Sequence, residues 1–491
     1  MKVDDSLYRV MRKSIAGEAL CVANDDDNRD NHTQQDSAEY RVELPASGEW
    51  QVWGRLYYPE LYAAEQDDPN SFWLSVDAGE PKVLGGRTDS HQQWHWDGSG
   101  GKPLSLGYLE AGSHRLKIWN RHARGAVAFS PRLDMMMVTG SSEEVPNDHD
   151  ALATFGPAGP PYPPSQAIRT IEWEPVSAMV QAGWGDNYPI TWADDDNLYS
   201  CWGDGKGFDP EGPWLSLGFI RVEGGPRDFR GSNIRANVEL PDTLPDGSRT
   251  DGDAGQKACG MVMVGGTLYL LVRNADRAGE QSHLLWSTDH ARTWTWADWR
   301  FEEFGYPTFI NYGRNYAGAR DQYVYVVSPD SPHAYRPVDH FVLFRAPQER
   351  IKERGAYEFF CGADLRGQPR WSSDIAARAP VFTHPGCCSR SGISYNAGLK
   401  RYLWWQQIPR GAMRDIDTRY LGGFGIYEAP EPWGPWGTVY FTHCWDIGPG
   451  DCASFPPKWM SEDGRTIHLV GSSNNTFAVR KGVLSVQERR P

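Results

Sequence analysis

The stretch PITWADDDNLYSCWGDGKGF, Pro189 to Phe208, decides the reading of the fold. Aromatic and apolar residues lead into Asp194, Asp195, Asp196 and Asn197, then resume through Leu198, Tyr199 and Trp202 before a run of glycines. Two short strands joined by a tight polar turn are what such a pattern builds, because short side chains that bond their own backbone tolerate the turn's dihedrals. The same unit recurs as GMVMVGGTLYLLVRN from Gly260, FINYGRNYAGARDQYVYVV from Phe309, GISYNAGLKRYLWWQQ from Gly392 and PPKWMSEDGRTIHLVGSS from Pro456. Five hairpins over roughly 320 residues, each followed by one or two further strand-like runs, predict a five-bladed β-propeller over 167–491.

Upstream, alternating runs such as GEWQVWGRLYY, SFWLSVDAG and PRLDMMMVTG fill 1–140. Separated by turn signals, they predict an antiparallel, jelly-roll-like β-sandwich. Between the two, 141–166 is polar and then rich in Pro and Gly, which reads as a semi-stiff linker. The whole chain is therefore expected to be all-β. Its 52 Gly, 35 Pro, 22 Trp and 22 Tyr suit short strands and long loops.

A formal charge of −15 repels phosphate backbones, so nucleic acid is not an expected partner. No apolar run nears the roughly 20 residues that span a bilayer, so neither is a membrane. The first residues lack the apolar core of a leader, which implies a cytoplasmic protein, or a secreted or periplasmic one if a leader lies outside this stretch. A loop disulfide between Cys444 and Cys452 and two free buried thiols are equal readings.

Position within a hairpin sorts the acids. Asp194–Asp196 fall in the far turn, where water solvates them. Asp186 precedes the first strand and Asp204 follows the second, so the hairpin returns both to one rim although 18 positions separate them. Paired carboxylates are what glycoside cleavage requires. Basic and polar residues flank the other hairpins: Lys257, Arg273, Asn274, Arg314, Arg390 and Lys458. Converging, they would form a cationic pocket for an anionic sugar such as a uronate.

YPITWADDDNLYSCWGDGKGF, LSLGFIRVEGGP, LYLLVRNAD and YEAPEPWGPW together resemble a bacterial family of propeller domains that includes five-bladed endo-D-arabinanases. The similarity spans Ile168 to Val486. It implies a polysaccharide-degrading glycoside hydrolase whose catalytic pair, by motif, falls on Asp186 and Asp204. It does not account for the basic residues. GEWQVWGRLYYP, NSFWLSVDAG, WHWDG and LEAGSHRLKIWNR resemble a carbohydrate-binding module, which implies a structural calcium between Glu18 and Asp134. No cofactor is expected for catalysis. Trp94 and Trp96 would stack on sugar faces or pack in the core. STDHARTWTW, Ser287 to Trp296, matches the structural turn of sialidase-type propellers, with Ala291 where a glycine stands in that motif.

Two rival functions remain open. A polysaccharide lyase would use Tyr188, His283 or His384 as base, with Lys257, Arg273 and Arg314 neutralising a uronate. A glycan-binding protein would bind saccharide without cleaving it.

Overall fold

The computed structural model describes residues 37–58, 70–87, 90, 94–121, 131–141, 143–146, 159–241, 243, 254–364, 366–408, 423–442, 452–473 and 475–487. The chain divides into two compact units, Met1–Pro157 and Ala158–Pro491. No helix among the described residues is long and apolar enough to cross a membrane.

The first unit is a sandwich of two antiparallel sheets. One orders Ser37–Leu44, Gly112–Asn120, Ser71–Val76 and Lys82–Gly85. The other builds on Gly48–Tyr57, which pairs with Arg132–Thr139, Trp94–Asp97 and Leu104–Leu109. Alternate residues point inward as the pleat dictates. Val52, Leu56, Phe72, Leu74, Leu116 and Ile118 close the core between the sheets.

The second unit is a ring of five blades, and each predicted hairpin supplies inner strands of one. Blade 1 runs from Trp184–Asp186 and Ile190–Trp192 through Leu198–Gly207 and Leu215–Glu223 to Arg230–Ile234. Blade 2 is Lys257–Val264, Thr267–Arg273, Ser282–Ser287 and Thr295–Phe301. Blade 3 begins at Thr308–Asn311 and continues through Tyr323–Pro329 and Val338–Pro347 to Glu358–Ala363. Blade 4 is Ser391–Asn396, Arg401–Ile408, Gly423–Ala429 and Gly437–Thr442.

Blade 5 draws on both ends of the unit. Ala453–Ser454, Thr466–Ser473 and Thr476–Val486 come from the C-terminal side, and Ile168–Trp173 and Val180–Ala182 pair onto the last of them. The inner strands of blades 3 and 4 also pair in parallel, Ile310 with Ile393 and Asn311 with Ser394, fusing the two blades into one ten-stranded sheet.

The Ser287–Trp296 box turns as its chemistry demands. The Asp289 carboxylate accepts from Ser287, from the Thr293 amide and from the Thr293 hydroxyl, and the buried Trp294 indole donates to the Ala291 carbonyl. Ala291 holds φ +71°, the left-handed region in which a side chain is strained.

Candidate active site

All five inner strands meet around the axis. The gap they leave holds about 20 Å³, bounded among others by Tyr188, Cys259, Phe309, Ser391 and Cys452. That is room for about one water, so a polymer cannot thread the axis. A polymer could meet the ring only at one of its mouths. One mouth is where the inner strands begin and the second strands end; the other carries the tight turns.

At the first mouth the sequence places Asp186 with care. It is buried, and its strand partner is Gly203. A Cβ on Gly203 would sit 3.1 Å from Asp186 Oδ1, so the glycine leaves the carboxylate its space. Asn187, at φ +57°, donates its side-chain amide to Asp186 Oδ1, and its own Oδ1 accepts from Arg273 Nη2 at 3.0 Å. A guanidinium thereby acts on the carboxylate through an intervening amide.

Asp204 arrives by a bulge. Trp184 pairs with Gly207 and Asp186 with Gly203, so two steps of the inner strand oppose four of its partner. The surplus residues bend out, with Asp204 at φ +47°. Bulges commonly re-aim a side chain beside a functional site. Here the bulge delivers Asp204 to Lys257, whose ammonium donates to both carboxylate oxygens at 2.5 and 2.6 Å. The Lys257 side chain is 2% exposed and that of Asp204 is 29% exposed.

Behind this pair lies a cationic and aromatic cage. Arg273 pairs across from Lys257 in the blade 2 ladder. The Arg273 guanidinium lies 5.4 Å from the Tyr306 ring centre and 5.0 Å from that of Tyr335; for Arg390 the distances are 5.2 and 5.4 Å. Both arginines are buried. Asn274 donates to the Gly255 carbonyl and to the Tyr335 hydroxyl. Burial pushes the Tyr306 phenol well up, while Arg390 and Arg273 pull it down. The Tyr188 hydroxyl is buried with no hydrogen-bond partner among the described residues, and burial, then the Asp186 charge, push it well above its ordinary value.

The structure thus brings Asp186, Tyr188, Asp204, Lys257, Arg273, Asn274 and Arg390 to one mouth. His384 is buried beside Phe441, their ring centres 5.9 Å apart, in the strand that ends at Cys388. His283 donates to or accepts no group of the cage; its Nε2 meets the Ala297 carbonyl at 2.7 Å on the outer strands of blade 2.

Arg314 and Lys458 do not join them. Arg314 follows the first strand of blade 3, and its Nε donates to the Asp194 carbonyl at 3.0 Å. Lys458 donates to the Asp196 carbonyl. Both sit at the opposite mouth, because each lies after its inner strand and not before it. The three aspartates there are tied more closely than solvation alone would leave them. Asp195 accepts from Asn197 and Tyr199, Asp196 from the Trp192 indole, and Asp194 meets His290 Nε2 at 2.7 Å. Asp196 holds φ +66°, as a tight polar turn requires.

Tyr306, Tyr335 and Asn187 were not singled out by motif. Tyr306 stands just ahead of the inner strand of blade 3, where Arg390 stands in blade 4, and that positional equivalence was the available signal.

In the first unit, Trp94 and Trp96 are half-buried on the strand Trp94–Asp97. Trp94 lies 5.6 Å from the Tyr57 ring and 5.0 Å from the Arg55 guanidinium. The Asp134 side chain is fully buried and ion-paired with Arg55 at 2.9 Å. Glu18 and Cys444 lie outside the described residues.

No family model matches the chain. No curated protein matches it either. Among solved structures it is similar to a GH43_1 enzyme from Xanthomonas citri, at 12% identity and TM-score 0.38, covering 65% of this chain and 94% of that one. The RS223 β-xylosidase gives 10% identity and TM-score 0.37, covering 65% and 98%. A family 35 carbohydrate-binding module from Clostridium thermocellum gives 14% identity and TM-score 0.19, covering 28% and 84%.

Proposed function

We propose that the protein is a polysaccharide-degrading glycoside hydrolase that works at the mouth of the ring bearing Asp186 and Asp204, with the first unit binding glycan. One observation carries this reading: Asp186 faces Gly203 in the ladder while the bulge presents the very next residue, Asp204, at the same mouth. Two carboxylates of different surroundings are what glycosidic cleavage needs, one to give a proton to the leaving oxygen and one to act on the anomeric carbon or on water. Asp204, as the ion-pair partner of Lys257, is the carboxylate of the pair. Asp186 is assigned the acid on its burial, which favours the protonated form, against the pull of the Asn187 amide, which favours the ionised one.

The test is release of new reducing ends from neutral and uronate-containing polysaccharides. Asp186→Asn and Asp204→Asn should each lower turnover on the order of 100-fold or more, the scale of lost acid–base assistance. Asp195→Asn, in the far turn, should retain it. Near-normal rates in both site variants would end the hydrolase reading.

A second reading, elimination beside a uronate, is favoured by the convergence of Lys257, Arg273 and Arg390 on one mouth with Tyr188. A lyase would yield unsaturated, ultraviolet-absorbing ends where a hydrolase yields none. A glycan-binding protein would yield neither product.

A further inference from the structure

Trp184 is 54% exposed, although an indole ring is among the costliest groups to leave in water. It stands two residues before Asp186 on the same strand and pairs with Gly207, just beyond the bulge that carries Asp204. Its ring meets Trp214 edge-on, 5.3 Å between centres. An isolated exposed aromatic is unremarkable by itself. This one is held in place.

Close backbone approaches fix the strand on both sides of it. Gly183 and Gly185 hold φ +68° and +146°, where a side chain would be strained. A Cβ on either would come 2.8 Å from a carbonyl oxygen of the partner strand, and a Cβ on Gly205 would come 2.2 Å from the Trp184 carbonyl. The Gly185 amide donates to the Asn475 carbonyl of blade 5 at 2.8 Å. The glycines let the backbones touch, and the touching backbones fix where the indole springs from the strand.

We propose that Trp184, edged by Trp214, is a stacking platform for a sugar ring of the bound glycan next to the unit held at Asp186 and Asp204. A flat, rigid indole offers large apolar area at little cost in side-chain entropy, and the C–H face of a sugar ring is its complement. This rests on the placement of the substrate at that mouth, and the occupant is a glycan chain of at least two units.

The experiment is calorimetric binding of the tetrasaccharides of xylan, arabinan and polygalacturonate to the full chain, its Trp184→Ala variant and its Trp184→Phe variant. At least one tetramer should bind the unsubstituted chain. For that tetramer Trp184→Ala should weaken affinity about tenfold, and Trp184→Phe should lose less than half of that effect on a logarithmic scale. Both variants should melt with the parent, since an exposed ring holds no core together. Equal affinity in Trp184→Ala, a lowered melting temperature with no specific binding loss, or no tetramer bound at all would each overturn the platform. All three forms are titrated on an Asp186→Asn background, which keeps turnover out of the binding heats, so the two readings fail separately. Trp184-dependent binding with no new reducing ends removes the hydrolase and keeps the platform, whereas Asp186-dependent cleavage with unchanged Trp184→Ala affinity does the reverse.

Discussion

Removing Asp204 and removing Lys257 should not cost the fold equally. The two side chains form one ion pair, but Lys257 is 2% exposed and Asp204 is 29% exposed. Asp204→Ala strands an ammonium away from water, which costs about 3–5 kcal/mol when one partner of a buried pair is deleted. Lys257→Met keeps the stem volume and leaves a carboxylate that still reaches solvent, costing about 1–2 kcal/mol. Deleting both removes charge and partner together and should fall within about 1 kcal/mol of the parent. The coupling read from the cycle is then at least about 3 kcal/mol, at or above the upper end for contacting pairs. Thermal or urea unfolding of the second unit measures it, with Asp204→Ala lowering the melting temperature by about 4–7 °C. The double variant also separates stability from chemistry, since it should fold like the parent and still cleave on the order of 100-fold more slowly. If Lys257→Met is the more damaging change, or the double variant is as unstable as Asp204→Ala, the pair does not carry the burial cost assigned to it.

Ala291→Gly, relieving a side chain at φ +71°, should raise stability by about 1 kcal/mol in urea titration; a loss would show that the turn is not strained. Gly218→Ala would bring a Cβ to 2.3 Å from the buried Trp202 ring and should cost about 1–3 kcal/mol in the same titration. His468 is buried with Nδ1 donating to the Trp459 carbonyl, and burial holds its imidazole below the ordinary value. The folded state therefore binds fewer protons than the unfolded, so this stability is present above the unfolded pKa near 6.5 and lost as pH falls through it. Melting curves from about pH 8 to about pH 5 should show a shallower decline for His468→Gln than for the parent.

Much of the ring was legible because each inner hairpin is self-contained: a turn chemistry and two apolar flanks lie within some twenty residues of sequence. Blade 5 was only half legible. Its outer strands, Ile168–Trp173 and Val180–Ala182, pair with residues about 300 positions away, and no local pattern announces such a partner. In the site, Asp186 and Asp204 were placed at one rim by hairpin logic alone, but the bulge that turns Asp204 depends on a backbone dihedral that sequence does not display. Arg314 and Lys458 were misassigned by counting charge without asking on which side of an inner strand each residue falls. Trp184 drew no notice because exposure is a property of what surrounds a residue, and only its flanking glycines hinted at it.

The clasp in blade 5 also bears on how this ring could be rethreaded. Ile168 and Val486 are Cα partners in neighbouring antiparallel strands, a separation of about 5 Å that a two-residue loop bridges. Joining them and cutting instead at the Asp194–Asp196 turn would give a circular permutant with the same five sheets. Its new termini would emerge, like the old ones, at the mouth opposite Asp186 and Asp204. A scaffold entered and left at adjacent strands can be relinearised this way, and fusion partners could be hung from the far mouth without obstructing the one that bears Asp186 and Asp204.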